Sequence, residues 1–442
     1  MCIIEKISTF EFQPEVYVYP TPRAYAPLHN FTPAFVEYGD EINVYIHIPF
    51  CRQICSYCGY LKIAGASEAL IDRYVDALVK EILRYGDILS SKKIVTLNIG
   101  GGTPSLLKET QLAKIFLALL SVNPEMRQTA QKEISLEATP ESIELEKFSA
   151  FREIGINRVS IGVQTLNSGE IACAKRKNTS DITEQAIEKL RKSGISQVVA
   201  DLMIGIEGQS VESFTESATS LIQLRPDVVE LYALGLQPQT ALAKSSHGNL
   251  LQEKDLYRCY EIGMELFLNA GYEQDCHNRY ALPDRGGYLQ EDNVFGSMSI
   301  IGFGAGARTY AQNVHYRNSY CQNNFRKSVL EYIEKVEAGK SVITDGVMLS
   351  SEEKMRQFLI YNIEDLDCSI FQEMFGKSPE DVFPEIFSKL LQGKILFSEG
   401  NSLKMTKKGL LFRDLVAKEF FSDYMRSLEI NYRPRISDTV LL

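Results

Sequence analysis

No stretch of the 442 residues approaches the roughly 18 consecutive apolar positions that a membrane-crossing helix needs. The start, MCIIEKISTFEF, has an acidic residue where a secretory signal would have a basic region and then an apolar one, so a cytoplasmic chain with no membrane partner is expected. Runs of lysine or arginine are missing too. With 47 basic against 57 acidic side chains and a formal charge of −10, nothing suggests a surface that neutralises phosphates, and nucleic acid is not expected as a partner. The nine cysteines are odd in number and scattered over a long chain, unlike a disulfide scaffold, and are read as reduced thiols. Internal repeats beyond the β/α alternation and low-complexity segments are absent. What remains is a globular composition, 45% hydrophobic and 24% charged, long enough for one large domain or two to three ordinary ones.

Residues 1–40 hold Tyr17, Tyr19, Pro20, Pro22, Tyr25 and Pro27 without helical or strand period, and read as an ordered arm. From Glu41, six β-branched apolar runs recur: Val44 to Ile48, Ile94 to Gly100, Glu133 to Ala138, Arg158 to Val163, Val198 to Gly205 and Val228 to Leu236. Helical patterns lie between them, the clearest placing Ile71, Tyr74, Val75, Leu78, Val79, Ile82 and Leu83 on one face. Others run from Leu106 to Leu120, Ile143 to Ile154, Thr183 to Lys192 and Val211 to Leu224. Strands alternating with helices predict an α/β fold with a parallel sheet covered on both faces, either a partial barrel or an open doubly wound sheet. Beyond about Tyr310 the alternation fades. Helices are expected over Ser351 to Glu364, Pro379 to Gln392 and Gly409 to Leu428, with a hairpin in Lys394 to Thr406 turning at Gly400-Asn401, the pattern of a small winged-helix-like domain. The expected division is an arm (1–40), a β/α domain (41–310) and a mostly helical C-terminal domain (311–442).

Cys51, Cys55 and Cys58 follow the first strand in HIPFCRQICSYCGY. Three thiolates within eight residues can converge on one centre, and soft sulfur selects iron–sulfur clusters, zinc or copper(I). Structural zinc needs a fourth ligand, for which His47 is the near candidate. A four-iron cluster on three cysteines leaves one iron open to a ligand. At the end of the second strand, Gly100, Gly101 and Gly102 let backbone approach a ligand closely, and Thr103 and Ser105 can bond locally.

The C-x3-C-x2-C spacing after the first strand of a β/α protein resembles the radical S-adenosylmethionine (SAM) enzymes. The loop GGGTPS (Gly100 to Ser105), SLEATPES, GINRVSIGVQTLN with Arg158, and VVADLMIGIEGQ resemble, in order and spacing, the HemN-like family of oxygen-independent coproporphyrinogen III oxidases. That resemblance covers about residues 17 to 425. It implies an incomplete (β/α)6 barrel with a helical C-terminal domain over the opening, a [4Fe-4S] cluster on Cys51, Cys55 and Cys58, and SAM on the open iron. It further implies that Gly100, Gly101, Gly102, Thr103 and Glu137 grip SAM, and that Gln164, Arg176 and Asp201 position the source of the adenosyl radical. Tyr45, His47, Tyr57 and Tyr60 would stand near the cluster, and Gly205, Gly235, Gly302 and Ala305 against cofactor or substrate.

This chain departs from the oxidases at Cys58-Gly59-Tyr60, where they carry a further cysteine, and it has no tryptophan and only part of the heme-chaperone stretch at His277-Asn278-Arg279-Tyr280. The expectation is a HemN-like methyl or methylene transferase using two SAM molecules, with oxidase-like decarboxylation and heme delivery as alternatives. A tetrapyrrole or unsaturated precursor is the expected substrate, a flavodoxin- or ferredoxin-type protein the electron donor, and the chain a monomer. Cys173, Cys259 and Cys368 read as small core hydrophobes, Cys2 as an exposed thiol, His247 and His315 as surface residues. Cys276 adjoins His277 near the expected substrate opening.

Overall fold

The structure is a computed structural model. It describes residues 2–429 except 15, 17, 30, 32, 129–131, 246–248, 291 and 293–296, so Tyr17 and His247 lie outside the described residues. Six strands, β1 (Glu41–Ile48), β2 (Lys93–Gly101), β3 (Glu133–Ala138), β4 (Arg158–Gln164), β5 (Gln197–Ile204) and β6 (Val228–Ala233), pair side by side in parallel. The antiparallel pair β7 (Glu273–Cys276) and β8 (Arg279–Ala281) extends the sheet beyond β6. On the other side, β9 (Ser299–Phe303) joins β1 in parallel. Strands β10 (Arg308–Tyr310), β11 (Val314–Asn318) and β12 (Ile343–Met348) then continue antiparallel. The order is open, with the short strand Ala26–Pro27 at one edge and β7 at the other.

Helices α1 (Ile3–Ser8), α2 (Glu68–Arg84), α3 (Glu109–Val122), α4 (Leu145–Ile154), α5 (Ser180–Lys192), α6 (Val211–Leu224), α7 (Glu253–Asn269), α8 (Phe325–Glu337) and α9 (Ser351–Asn362) include the crossovers that cover the parallel strands. Helix α2 forms where its pattern predicts. Ser67 caps it by accepting from the Leu70 N–H, and its apolar stripe of Tyr74, Val75, Leu78 and Ile82 is fully buried against the sheet. Truncating such a residue, Leu78 for example, costs about 2–5 kcal/mol.

Three expectations are corrected. The arm is not without period, since α1 starts it. The sheet runs past residue 310 through β11 and β12, because Gly302 lets β10 fold back on β9; a Cβ there would lie 2.3 Å from the Arg308 carbonyl oxygen. The last two long helices are broken: Phe383 separates Pro379–Val382 from Pro384–Gln392, and the tail divides into Lys407–Leu411, Arg413–Glu419 and Asp423–Glu429. The hairpin forms as expected, Leu396–Glu399 pairing with Ser402–Met405 around Gly400 at φ 61°. Arm and C-terminal region share one core, in which Ile3, Ile7, Val16 and Tyr19 pack with Phe358, Leu359, Phe387 and Phe420. Buried Arg413 ties them by donating to the carbonyls of Val16 and Ile360 at 2.9 Å each.

Candidate functional site

Register brings the two main motifs together. Tyr45, His47 and Ile48 on β1 stand opposite Asn98, Gly100 and Gly101 on β2, so the cysteine loop and the glycine loop leave the sheet side by side. The Gly102 and Thr103 N–H groups donate to the carbonyls of Ile48 and Phe50 at 2.8 Å each. Beyond Cys51 the loop is held from several sides. Ser56 donates to Ala174 and Cys173, both at 3.1 Å; Gln53 donates to Lys175 at 2.6 Å; and the Lys62 ammonium donates to the Cys58 carbonyl. Thr103 Oγ1 lies 3.6 Å from Cys51 Sγ, and Arg176 Nη1 lies 3.6 Å from Cys55 Sγ and 3.4 Å from the Tyr57 hydroxyl. Burial pushes the Cys51 thiol up to about 11 and also raises that of Cys58, so metal binding would displace tightly held protons.

A single ion does not fit these thiols. Among the described residues no three His, Cys, Asp or Glu side chains are grouped to hold one metal ion, whereas sulfurs around one tetrahedral zinc stand about 3.8 Å apart, given a Zn–S bond of about 2.3 Å. His47 is not the fourth ligand either: Nε2 lies 2.9 Å from the Leu61 carbonyl oxygen and Nδ1 lies 3.0 Å from the Tyr45 hydroxyl. Burial takes its pKa down to about 4. Three cysteines reaching different irons of one cluster, with an iron left over, suit the arrangement better.

Most residues of the parallel strands are buried, yet the strands open at particular positions. Tyr45, Glu137, Gly162, Gln164, Asp201 and Met203 are half-buried while their neighbours along each strand are buried. Glu137 Oε2 accepts from the Gly101 N–H at 2.9 Å, and Asp201 Oδ1 accepts from the Ser160 hydroxyl at 2.7 Å. Burial away from water raises both carboxyl pKa values, with Glu230 adding repulsion. A Cβ on Gly100 would sit 2.4 Å from Glu137 Oε1 and 3.0 Å from the Tyr45 ring, so any side chain there would displace Glu137. Gln164 adopts φ 68°, costly for a non-glycine residue, and its Oε1 is buried without a hydrogen-bond partner. Arg176 donates to the Gly162 carbonyl, which fixes the guanidinium between the lumen and Cys55. An orphaned acceptor, a glycine cradle and carboxylates at the lumen fit a polar, cationic ligand beside the thiol loop.

Other expected site residues are engaged by protein. Gly205 donates to Gln209 Oε1 at 2.6 Å; Gly235 lies where a Cβ would meet Pro14 of the arm at 2.8 Å; and the Ala305 N–H donates to the Tyr74 hydroxyl at 2.9 Å. Tyr57 is buried, whereas Tyr60 is 60% exposed. Cys276 Sγ lies 3.1 Å from Asn278 Oδ1, and His277 is held between Glu364 at 2.8 Å and Asp414 at 3.7 Å. Two expectations are reversed. His315 is only 1% exposed because its ring packs against Tyr310 and lies 3.2 Å from Gln357, and Cys173 is exposed because its helix, Ser168–Cys173, ends at the surface.

Glu230 was missed. It pairs with Arg158 at 2.7 Å and accepts from the Tyr232 hydroxyl, while Arg158 lies 4.0 Å from the centre of the Tyr288 ring. A charge inside the apolar run VVELYALGL was its signal; Tyr288, in an irregular segment, has none.

Residues 45–221 match the model of the radical SAM superfamily. The chain carries a radical SAM domain. Its curated relatives are HemN-like: it is 26% identical over 389 residues to the heme chaperone HemW of Lactococcus lactis subsp. lactis, covering 86% of this chain and 97% of that protein. It is 25% identical over 418 residues to the oxygen-independent coproporphyrinogen III oxidase of Escherichia coli, covering 90% and 89%. The solved structure of coproporphyrinogen III oxidase (HemN) from Escherichia coli superimposes with a TM-score of 0.79 at 22% identity, over 92% of this chain and 96% of that one. The fold is thus that of HemN. Among the described residues no helix is long and apolar enough to cross a membrane.

Proposed function

We propose that this protein is a HemN-like radical SAM enzyme that generates a substrate radical on a tetrapyrrole. The observation that carries this is the convergence of three thiols, a glycine cradle and half-buried Glu137, Gln164, Arg176 and Asp201 at one mouth of the parallel sheet. Cluster and SAM, when bound, would supply a 5′-deoxyadenosyl radical. In this reading Cys51, Cys55 and Cys58 hold the cluster, and Glu137 and Asp201 accept from SAM hydroxyl and amino groups. Gln164 offers its unpaired Oε1, and Arg176 holds the thiol loop against the lumen.

The relatives' names favour an oxidase-like decarboxylation over methyl transfer as the outcome. Methyl or methylene transfer from a second SAM is kept as a second reading on one observation: Cys58-Gly59-Tyr60 offers an exposed tyrosine where the oxidases carry a further cysteine. Heme delivery without turnover is less favoured, since His277 is committed to Glu364 and Asp414.

The test is anaerobic reconstitution with iron and sulfide, then SAM, dithionite and either coproporphyrinogen III or heme, with products read by mass spectrometry. 5′-Deoxyadenosine together with loss of carbon dioxide from coproporphyrinogen III is expected. 5′-Deoxyadenosine rising with S-adenosylhomocysteine would move the reading to methyl transfer. Stoichiometric heme binding without 5′-deoxyadenosine would leave delivery. A Cys55→Ala variant that still cleaved SAM would sink the radical reading altogether.

A further inference from the structure

The cysteine loop closes on itself. Ile63–Ala64 returns as a short parallel strand beside Phe50–Cys51, the Ile63 N–H donates to the Pro49 carbonyl at 2.7 Å, and His47 Nε2 stands against the Leu61 carbonyl. Lys62 is thereby fixed between two anchored neighbours, and it is only 6% exposed. Its ammonium donates to the Cys58 carbonyl and lies 5.4 Å from the centre of the Phe325 ring at the start of α8. A carbonyl dipole and a ring face are weak partners for a full charge.

The other buried cations of this chain are treated differently. Among the described residues the buried lysines and arginines are Lys62, Arg158, Arg279 and Arg413. Arg158 has Glu230, Arg279 has Asp275 and Asp292, and Arg413 has Glu364 and Asp414. Lys62 alone pairs with no carboxylate among the described residues. Taking an ammonium out of water without a counter-charge is strongly unfavourable, so an anion is called for beside it. The ionisable groups on which Lys62 acts are the thiols of Cys51 and Cys58, while Arg176 Nη1 lies 3.6 Å from the third, Cys55 Sγ. Thiols supply no negative charge, but they become thiolates as metal ligands. A doubly positive four-iron core on three thiolates carries one net negative charge, and two once it has accepted one electron.

We propose that Lys62 is the built-in counter-charge of the iron–sulfur cluster and raises its reduction potential. The proposal rests on the reading that Cys51, Cys55 and Cys58 hold that cluster, and it names the residue that tunes it. The second negative charge appears only on reduction, so a fixed cation stabilises the reduced form more than the oxidised one. Burial leaves that attraction poorly screened by water and salt. The electron itself comes from outside the chain, from dithionite in the experiment below.

The test replaces Lys62 by glutamine, which keeps an amide donor for the Cys58 carbonyl but no charge, and by arginine, which keeps both. After anaerobic reconstitution with iron and sulfide, the midpoint potential is read by electron paramagnetic resonance during titration with dithionite, with neither SAM nor substrate present. Lys62→Gln is expected to lower the midpoint by about 59 mV or more, a tenfold loss in the one-electron reduction constant, and Lys62→Arg to keep most of the wild-type value. If Lys62 only anchored the loop, the Lys62→Gln midpoint would equal that of wild type, and that result overturns the proposal. A second readout needs no cluster. In the full chain stripped of iron by chelator, glutamine removes an uncompensated charge, and the melting temperature is expected to rise by about 2 °C or more. An equal or lower melting temperature overturns the proposal, and this measurement decides if Lys62→Gln does not retain the cluster. A wild type that takes up no cluster would sink the radical SAM reading and the counter-charge with it. A wild type that does, beside a Lys62→Gln variant of unchanged midpoint, would leave that reading standing and remove only the role of Lys62.

Discussion

Replacing Glu81 by glutamine tests the wiring behind the site. Glu81 is a 2%-exposed carboxyl on α2 that accepts from the Gly304 N–H at 2.9 Å, the Tyr332 hydroxyl at 2.6 Å and Asn318 Nδ2 at 2.9 Å. It therefore holds the glycine-rich turn after β9, whose Ala305 leans on Tyr74, which in turn donates to the His47 carbonyl at 2.8 Å. Burial pushes the Glu81 pKa from 4.5 up to about 7, with the three hydrogen bonds and Arg84 restraining the rise. Below about pH 4.5 both folded and unfolded chains hold the proton. Between about 4.5 and 7 only the folded chain does, so stability falls as pH rises, and above 7 the full penalty of about 3 kcal/mol applies. Glutamine does not titrate. Its oxygen keeps Gly304 and Tyr332, and its amide can donate to Asn318 Oδ1, now buried without a partner, if the Asn318 amide turns over. That turn gives up the 3.2 Å bond to the Gly302 carbonyl, at about 1 kcal/mol. The expected result, from denaturant unfolding of both proteins at fixed ionic strength, is a Glu81→Gln variant slightly weaker at about pH 5 and stronger by about 2 kcal/mol at about pH 8. Parallel stability curves would refute the reasoning.

Gly100→Ala should weaken SAM binding at least tenfold while leaving the melting temperature within a few degrees, because the new methyl displaces Glu137 rather than the core; equilibrium dialysis with labelled SAM checks it. Arg158→Met leaves Glu230 buried without its cation and should cost about 3–5 kcal/mol, part of which Glu230→Gln in the same chain should restore; denaturant midpoints read both. His277 is buried, which opposes its charge, yet Glu364 and Asp414 hold its pKa well above 6.5. The stability it adds is complete below about 6.5 and lost as pH rises through the folded value, so His277→Gln should differ most from wild type in acid and converge on it in alkali in unfolding titrations.

Regular elements were legible where periodicity was unambiguous: β3 and α6 occupy the expected residues, and the hairpin turns at Gly400. Apolar patterns failed where backbone chemistry or distant packing decided the outcome. The helix expected over Pro379 to Gln392 breaks at Phe383 for a local reason that apolar periodicity passes over: Pro384 has no N–H to donate and pushes the preceding residue out of helical backbone, so a new helix starts at the proline. His315 looked like a surface residue, but packing against Tyr310 and the approach of Gln357 from α9 leave it 1% exposed. Glu230 lay in plain view, but only the inner-face geometry shows it to be Arg158's partner.

Cysteine spacing, the glycine triplet and the order of strand-end polar residues determine by themselves the soft-metal chemistry and the β/α plan, because both depend on residue type and short separations along the chain. Which carboxylates meet in the lumen, which ring nitrogens are already taken, and that Arg308 and Arg317 face each other beneath Tyr25 were decided by tertiary structure. These are contacts between residues up to about 300 positions apart, and only strand register and the arm's return across the sheet bring them together.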